Sequence, residues 1–342
     1  YRFSVKKIPE RLHMCNFCST FVPDFNLADY GLMTIAIFGN AMKSQTLTEV
    51  KHLLDFMERR GIHVVLSQEL RQELNLREYP SFEHSYPKGT TISDFKTRGN
   101  DFLFQETTNF EPIDFALSVG GDGTFLTSAA AIGKKNIPIL GINCGNLGFL
   151  AEVQSQDVDD ILQKLVAGEY TIEQRSLLNV SVFDKQGSPR DNIIMAPNAL
   201  NEIAILKEGL SSMLQIELKV NGSHLHTYNS DGLVVATPTG STAYNLSIGG
   251  PLMVPQSRGI ILTPIAPHSL TVKPLVVPDD WKFDIRVSSR YDAFMVSVDG
   301  RSQSLSTDMS LHVEKAPYTI KVVQIGDNSF LKSLQTKLNW GK

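Results

Sequence analysis

Phe115-Ala116-Leu117-Ser118-Val119 runs straight into Gly120-Gly121-Asp122-Gly123-Thr124, and Phe125 to Ile132 continues as a helix that Gly133 closes. A short apolar run, a glycine turn and a helix make one strand–turn–helix unit. Open α/β sheets bind their ligands at the carboxyl end of such a strand. Glycines there permit positive φ and let backbone N–H groups approach a phosphate. An acid between them adds negative charge where a bare phosphate cradle wants none. Three readings of Asp122 follow: a general base beside a hydroxyl, a carboxylate reaching a phosphate-bound metal, or a turn whose aspartate caps the helix.

Upstream, Thr34 to Phe38 reads as a strand. Leu47, Val50, Leu53, Leu54 and Met57 follow at helical spacing, Gly61 ends that helix, and Ile62 to Leu66 is a second buried strand. Residues 75–105 are polar and turn-rich and read as a long connection. Downstream, Pro138 to Ile142 is a strand and Val158 to Val166 a helix. This alternation predicts an α/β N-terminal domain with a parallel sheet and right-handed crossovers over 33–150. Within 151–325, from about 170 onward, the texture turns to short strands: Ser176–Phe183, Met213–Val220, Gly232–Ala236, Ile260–Pro264, Leu270–Val277, Ala293–Val298 and Tyr318–Gln324. Asn221-Gly222 is a type I′ hairpin signal. A largely β C-terminal domain is expected there, then a helix from Ser329 to Leu338. Residues 1–32 show no periodicity and read as a loosely ordered extension.

The 342 residues suggest about two domains. With 42% apolar and 20% charged residues, whole-chain disorder is excluded. A net charge of -4 disfavours a protein that lives on nucleic acid. Three cysteines fit a reducing compartment rather than a disulfide scaffold. Cys15 and Cys18 form a lone CxxC without the second pair a zinc site needs. No apolar run spans a membrane and the N-terminus does not read as a secretory signal, so a cytoplasmic protein is expected, with no membrane partner.

Neither GxGxxG nor GxxxxGK[ST] occurs, which excludes an ordinary Rossmann dehydrogenase and a P-loop enzyme. Asn143 to Leu150 is a second glycine-rich turn after a strand; a domain-crossing bend is its plain alternative. Asn201-Glu202 sets an amide beside a carboxylate, a pair suited to a ribose diol or base edge or simply to a polar strand start. The densest stretch is Ser230-Asp231-Gly232 through Thr237-Pro238-Thr239-Gly240-Ser241-Thr242-Ala243-Tyr244-Asn245-Leu246-Ser247 to Gly250. Its hydroxyls and free amides suit a phosphorylated ligand, and Tyr244 can stack on a base. His224 and His226 lack a third ligand and read as solvent-facing. His268 follows a strand at a Pro-rich turn and is either structural or a ligand contact. Asp299-Gly300-Arg301 reads as a hairpin turn.

Taken together, the GGDGT turn, the Asn146-Leu147-Gly148-Phe149-Leu150 segment, Asn201-Glu202, the Asp231 to Tyr244 run and Pro267-His268-Ser269-Leu270 resemble the NAD kinase family over about 33 to 325. Ile37-Phe38-Gly39-Asn40, Ala199-Leu200-Asn201-Glu202-Ile203-Ala204 and Trp340-Gly341 look like its Bacteroidetes-type bacterial members. The resemblance implies phosphoryl transfer from ATP to the 2′-hydroxyl of the adenosine ribose of NAD, giving NADP, with a divalent metal, usually Mg²⁺. It makes Asp122 the catalytic acceptor of the hydroxyl proton, with Gly123 beside it. It assigns NAD contacts to Asn201, Glu202, Asp231, Thr242, Ala243, Tyr244 and Ser247, with Asn245 and Leu246 between them. It lets His268 reach a neighbouring subunit in a homodimer or homotetramer, and it returns the helix of 326–342 to the α/β domain. Many members carry a basic residue where this chain has Thr127, so Thr127 stands as a phosphate-side position with its usual cation missing. The rival readings are another GGDGT-type kinase acting on a lipid or sugar phosphate, and a non-catalytic NAD(P) sensor.

Overall fold

A computed structural model of the chain describes residues 33–74, 95–98, 101–104, 113–145, 148–194, 196–209, 213–326 and 330–339. The expected extension with Cys15 and Cys18, together with Asn146, Leu147, Trp340 and Gly341, lies outside the described residues.

Strand β1 (Thr34–Gly39) is buried along its whole length, as a central parallel strand requires. Helix α1 (Ser44–Glu58) buries Val50, Leu53, Leu54 and Met57 against it. Gly61, at φ +67°, turns the chain into β2 (His63–Leu66). Helix α2 (Gln68–Glu73) follows, its first turn capped by the Ser67 hydroxyl, which accepts the Leu70 N–H. The stretch expected as one long connection contains a hairpin instead: β3 (Phe95–Arg98) pairs antiparallel with β4 (Asp101–Phe104). Two strands of four residues give too little alternation to stand out among turn residues.

Then come β5 (Phe115–Val119), α3 (Asp122–Ile132), β6 (Ile139–Asn143), β7 (Val153–Gln154) and α4 (Val158–Val166). The parallel order is β2-β1-β5-β6. Every carboxyl end therefore points the same way, and the β5–α3 turn opens at that edge.

The second half comprises β8 (Thr171–Phe183), β9 (Asn198–Ala199), β10 (Glu202–Leu206), β11 (Leu214–Val220), β12 (Ser223–Ser230), β13 (Gly232–Ala236), α5 (Tyr244–Ser247), β14 (Ile260–Ile265), β15 (Leu275–Val277), β16 (Phe283–Ser288), β17 (Ala293–Val298), β18 (Arg301–Ser306), β19 (Ser310–Gln324) and α6 (Phe330–Leu338). Strand β19 is far longer than Tyr318–Gln324. The register shift between Lys315 and Thr319 absorbs Pro317, whose missing N–H hid the strand's first half from the sequence. Val322 of β19 pairs parallel with Ile139 of β6. The parallel sheet thus continues into the β-rich half as one 11-stranded sheet, β12-β11-β16-β19-β6-β5-β1-β2 with β7, β8 and β9 attached.

A 6-stranded sheet, β15-β14-β13-β10-β17-β18, packs on its far end, with Ile216, Ile285 and Val313 meeting Val235, Leu262 and Phe294 in one core. The Asn221-Gly222 hairpin is present, with φ +48° and +82°. Strand β16 went unread, and β12 and β18 were signalled by their hairpin turns, Asn221-Gly222 and Asp299-Gly300-Arg301, rather than by their own pattern. Five consecutive residues of β12 are exposed, so it carries almost no apolar alternation. Of the expected Leu270–Val277 strand only its last three residues pair, and Leu270 is 88% exposed. No helix among the described residues is long and apolar enough to cross a membrane.

Candidate active site

The glycine turn after β5 is built for one carboxylate. Gly120 sits at φ +155°, and a Cβ there would meet the Thr124 hydroxyl at 2.4 Å. Helix α3 begins at Asp122 itself, with Gly121 as the capping residue and no side-chain cap. The capping reading of Asp122 is therefore corrected: its side chain turns away from its own helix. Asp122 Oδ2 accepts the N–H of Phe149 at 2.7 Å, and Oδ1 accepts those of Leu150 at 2.9 Å and Ala151 at 3.1 Å. Gly148 makes this possible, since a Cβ there would lie 1.9 Å from Asp122 Oδ1. The two glycine turns are one object, the second forming an amide cradle for the acid of the first. A carboxylate has about four lone-pair sites. Three are engaged, and the one left, on Oδ2, is free for a ligand.

A second aspartate does the same for Asn201-Glu202. Asp299 lies in the tight turn between β17 and β18, at φ +47° and followed by Gly300 at +81°, so the hairpin reading holds. Its Oδ2 accepts the Leu200 N–H at 2.7 Å, and its Oδ1 those of Asn201 at 2.8 Å and Glu202 at 3.1 Å. Arg301 closes the arrangement by donating to the carbonyls of Ala196 and Asn198. Gly240 lies so close to Asn201 that a Cβ would meet its carbonyl oxygen at 2.1 Å.

With the backbone so tied, the side chains are free. Asn201 Oδ1 and Glu202 Oε2 are buried without a hydrogen-bond partner among the described residues. Burial, reinforced by the nearby Asp299 charge, pushes the Glu202 pKa up to about 8, although the Tyr244 N–H works against it. Burial likewise raises the Asp299 carboxyl, against the pull of its three amides and Arg301.

The hydroxyl-rich run folds as a short 3-10 turn over Thr239–Thr242 followed by α5. Much of it serves the loop. The Asn245 amide donates to the carbonyls of Ser241 and Pro251, which uses both of its N–H groups, and its Oδ1 accepts from Thr263. The Ser241 hydroxyl is held by Met253 on both sides. Thr242 donates to Thr239 O at 3.3 Å. Tyr244 and Ser247 are exposed, and Ala243 and Leu246 half-buried.

Between the two turns lies a cavity of about 480 Å³, walled by Phe149 and Leu150 on one side and Thr239 and Thr242 on the other. Arg175 and Glu173 of β8 form its floor, paired at 2.8 Å, with Arg175 only 6% exposed. Of the candidate residues Thr242 lines this cavity, whereas Asp122, Asn201, Glu202, Tyr244, Asp231 and His268 do not. Asp231 pairs with Lys207 at 2.8 Å, and exposed His268 holds the Asn229 carbonyl through its backbone N–H at 2.8 Å. Thr127 donates to Gly123 O of its own helix at 3.0 Å. His224 and His226 are exposed, as expected. The sequence reading missed Glu173 and Arg175, buried charges on a strand, and the supporting role of Asp299. An acid in a β-turn carries no sign of which backbone it will hold.

A family model described as the ATP-NAD kinase N-terminal domain matches residues 35–170, and one described as the C-terminal domain matches 200–325. The chain is 42% identical over 309 residues to a protein named NAD kinase from Bacteroides fragilis, covering 90% of this chain and 98% of that protein. It is 35% identical over 311 residues to an NAD kinase of Flavobacterium johnsoniae, covering 91% and 99%. Among solved structures, yeast NADH kinase complexed with NADH shares the fold at TM-score 0.74 and 23% identity, covering 91% of this chain and 89% of that one. An NAD kinase from Archaeoglobus fulgidus in complex with ATP superposes at TM-score 0.64 and 25% identity, covering 90% and 99%.

Proposed function

Since this chain belongs to the ATP-NAD kinase family, and is an enzyme that phosphorylates NAD at the 2′-hydroxyl of its adenosine ribose, we propose that Asp122 is the group that accepts the hydroxyl proton. The observation that carries this is the cradle: three consecutive amides hold the carboxylate still and leave one lone pair on Oδ2. A free ribose hydroxyl is a poor nucleophile, and a fixed carboxylate beside it takes the proton as the new P–O bond forms and the bond from the γ-phosphorus to the bridging oxygen of ATP breaks, releasing ADP. The glycine turn supplies backbone N–H groups for the phosphate, and the reaction is otherwise one of in-line positioning and charge neutralisation.

NAD binding is assigned to Asn201 and Glu202, whose orphaned oxygens offer acceptors for a ribose diol or base amine. Thr242, Ala243, Tyr244 and Ser247 join them as wall and lid. Asn245 and Leu246 stay between them, the Asn245 side chain donating both of its N–H groups to the loop. Gly123 stays in the turn beside the reacting acid. Asp231 is kept as an NAD contact, and His268 as one that acts from a neighbouring subunit.

A divalent cation such as Mg²⁺ belongs to the same reading. Among the described residues no group of three His, Cys, Asp or Glu could hold one. That fits an ion carried on the nucleotide's own phosphates, which needs at most one or two protein carboxylates. Asp122, whose one spare lone pair is assigned to the hydroxyl proton, is not counted among its ligands, and the ion would neutralise charge on the transferring group. Self-association is proposed through the β-rich half, where Tyr291, Val276 and Leu270 are exposed apolar side chains. The cytoplasm is the proposed compartment.

The test is Asp122→Asn, read as initial rates of NADP formation from NAD, ATP and Mg²⁺. The variant should lose about 10²–10⁴-fold in kcat. Wild-type turnover in that variant refutes the base assignment.

A further inference from the structure

We propose that Lys337, from the C-terminal helix, is a further residue of the phosphoryl-transfer site, supplying the positive charge that the Asp122 turn lacks. The proposal rests on the assignment of Asp122 to the reacting centre and adds to it a cation from a distant part of the chain.

Helix α6 buries Leu334 and sets two polar side chains, one turn apart, against the α/β half. The Ser333 hydroxyl donates to Glu152 at 3.3 Å. Four residues on, the Lys337 ammonium stands over the Phe149 ring, 4.2 Å from its centroid. Phe149 is the residue whose N–H holds Asp122 Oδ2, so the cation rests on the cradle itself.

The ammonium nitrogen is buried and has no hydrogen-bond partner among the described residues. Burial lowers its pKa, while the charges of Glu152 and Asp122 act in the opposite direction. Both carboxylates therefore reach it electrostatically. An unpaired buried charge is costly, and a ring face offsets only part of that cost. A site that keeps such a charge unbonded is prepared for a third, anionic partner.

The local charge balance says which partner. Helix α3 carries Asp122 in its first turn, and Thr127, the next polar residue on its exposed side, is bonded to its own backbone. Lys134 and Lys135 stand at the far end of that helix. A donor phosphate arriving at the turn would meet a carboxylate first and no cation from that element. Lys337 reaches the same loop from the other side. Positive charge aimed at the place where phosphoryl charge redistributes is the usual means of stabilising such a transition state.

The test compares Lys337→Met, Lys337→Gln and Lys337→Arg in the full chain, with kcat, the KM for ATP, the KM for NAD and the Tm measured for each. The Met and Gln variants should lose about 10- to 100-fold in kcat/KM for ATP. Their KM for NAD should move less than about twofold and their Tm should not fall, because an unpaired buried charge is removed. Arginine should recover most of the lost rate. Wild-type kcat/KM for ATP in the Met and Gln variants would overturn the proposal, as would losses that track Tm and that arginine does not rescue. Asp122→Asn run alongside separates the two claims. If it is inactive while Lys337→Met is normal, only the lysine assignment fails; if it is fully active, the reading of Asp122 fails first.

Discussion

Two aspartates in this molecule are held by the same device and put to different use. Asp122 accepts three consecutive N–H groups at 2.7, 2.9 and 3.1 Å, and Asp299 accepts three at 2.7, 2.8 and 3.1 Å. In each case Oδ2 takes the first amide and Oδ1 the next two. The difference lies in what surrounds the carboxyl. Asp122 opens a helix, whose N-terminal dipole favours an anion, and two residues of its cradle, Phe149 and Leu150, border a cavity. Asp299 sits inside a hairpin turn beside Arg301 and Glu202, where burial raises its pKa. The first device fixes a carboxylate; the second uses one to hold a strand start, where Asn201 and Glu202 each keep a buried side-chain oxygen without a partner among the described residues. Geometry at the acid does not by itself reveal function, and the environment decides it.

Substitution by asparagine sharpens this contrast most. Either variant keeps the Oδ1 pair of bonds but turns an NH₂ group against the remaining N–H, of Phe149 or of Leu200. Both should therefore lose about 1–3 kcal/mol of stability by thermal or urea denaturation. Only Asp122→Asn should also lose kcat by the large factor already stated. Asp299→Asn should instead raise the KM for NAD about tenfold, as the Asn201-Glu202 pair loosens. Equal damage to kcat in both would erase the distinction.

The next effect is steric. Gly148→Ala keeps every acid in place but sets a methyl against Asp122 Oδ1, where only 1.9 Å is available. The cradle must open, and kcat should fall by about 10²-fold with little change in the KM for NAD. Normal turnover would show that the amides are dispensable to the chemistry.

The smallest effect concerns pH. Glu202 has its pKa raised from 4.5 to about 8. Between those values the folded protein binds the proton that the unfolded chain releases, so stability falls as pH rises through this window and levels off above it. Glu202→Gln should flatten the dependence, as Tm measured at intervals from pH 5 to pH 9 will report. A wild-type Tm that climbs across the window would contradict the burial of this acid.

The local grammar of the chain was largely readable. Helix α4 spans Val158–Val166 as its periodicity predicted, and β5 runs Phe115–Val119 into the turn that ends it. Each boundary is set by residues a few positions away: Gly133 and Gly168 take positive φ where their helices stop. The candidate residues Asp122, Asn201 and Glu202 were visible for the same reason, as acids and amides in unusual turns. Harder to read were β12, whose exposed run shows almost no apolar alternation and which only its turn signalled, and the strand whose run is broken by Pro317.

Sequence alone thus determined the alternation of layers, the type I′ hairpin and the presence of an acid in a glycine turn, because each depends on neighbours within one helical turn or one strand repeat. Tertiary structure alone decided what the acids touch. Asp122 meets amides 27 to 29 residues away, Asp299 amides 97 to 99 residues away. Lys337 reaches Phe149 from the last helix. Such partners are chosen by the order of strands in the sheet and the docking of that helix. No local periodicity encodes them.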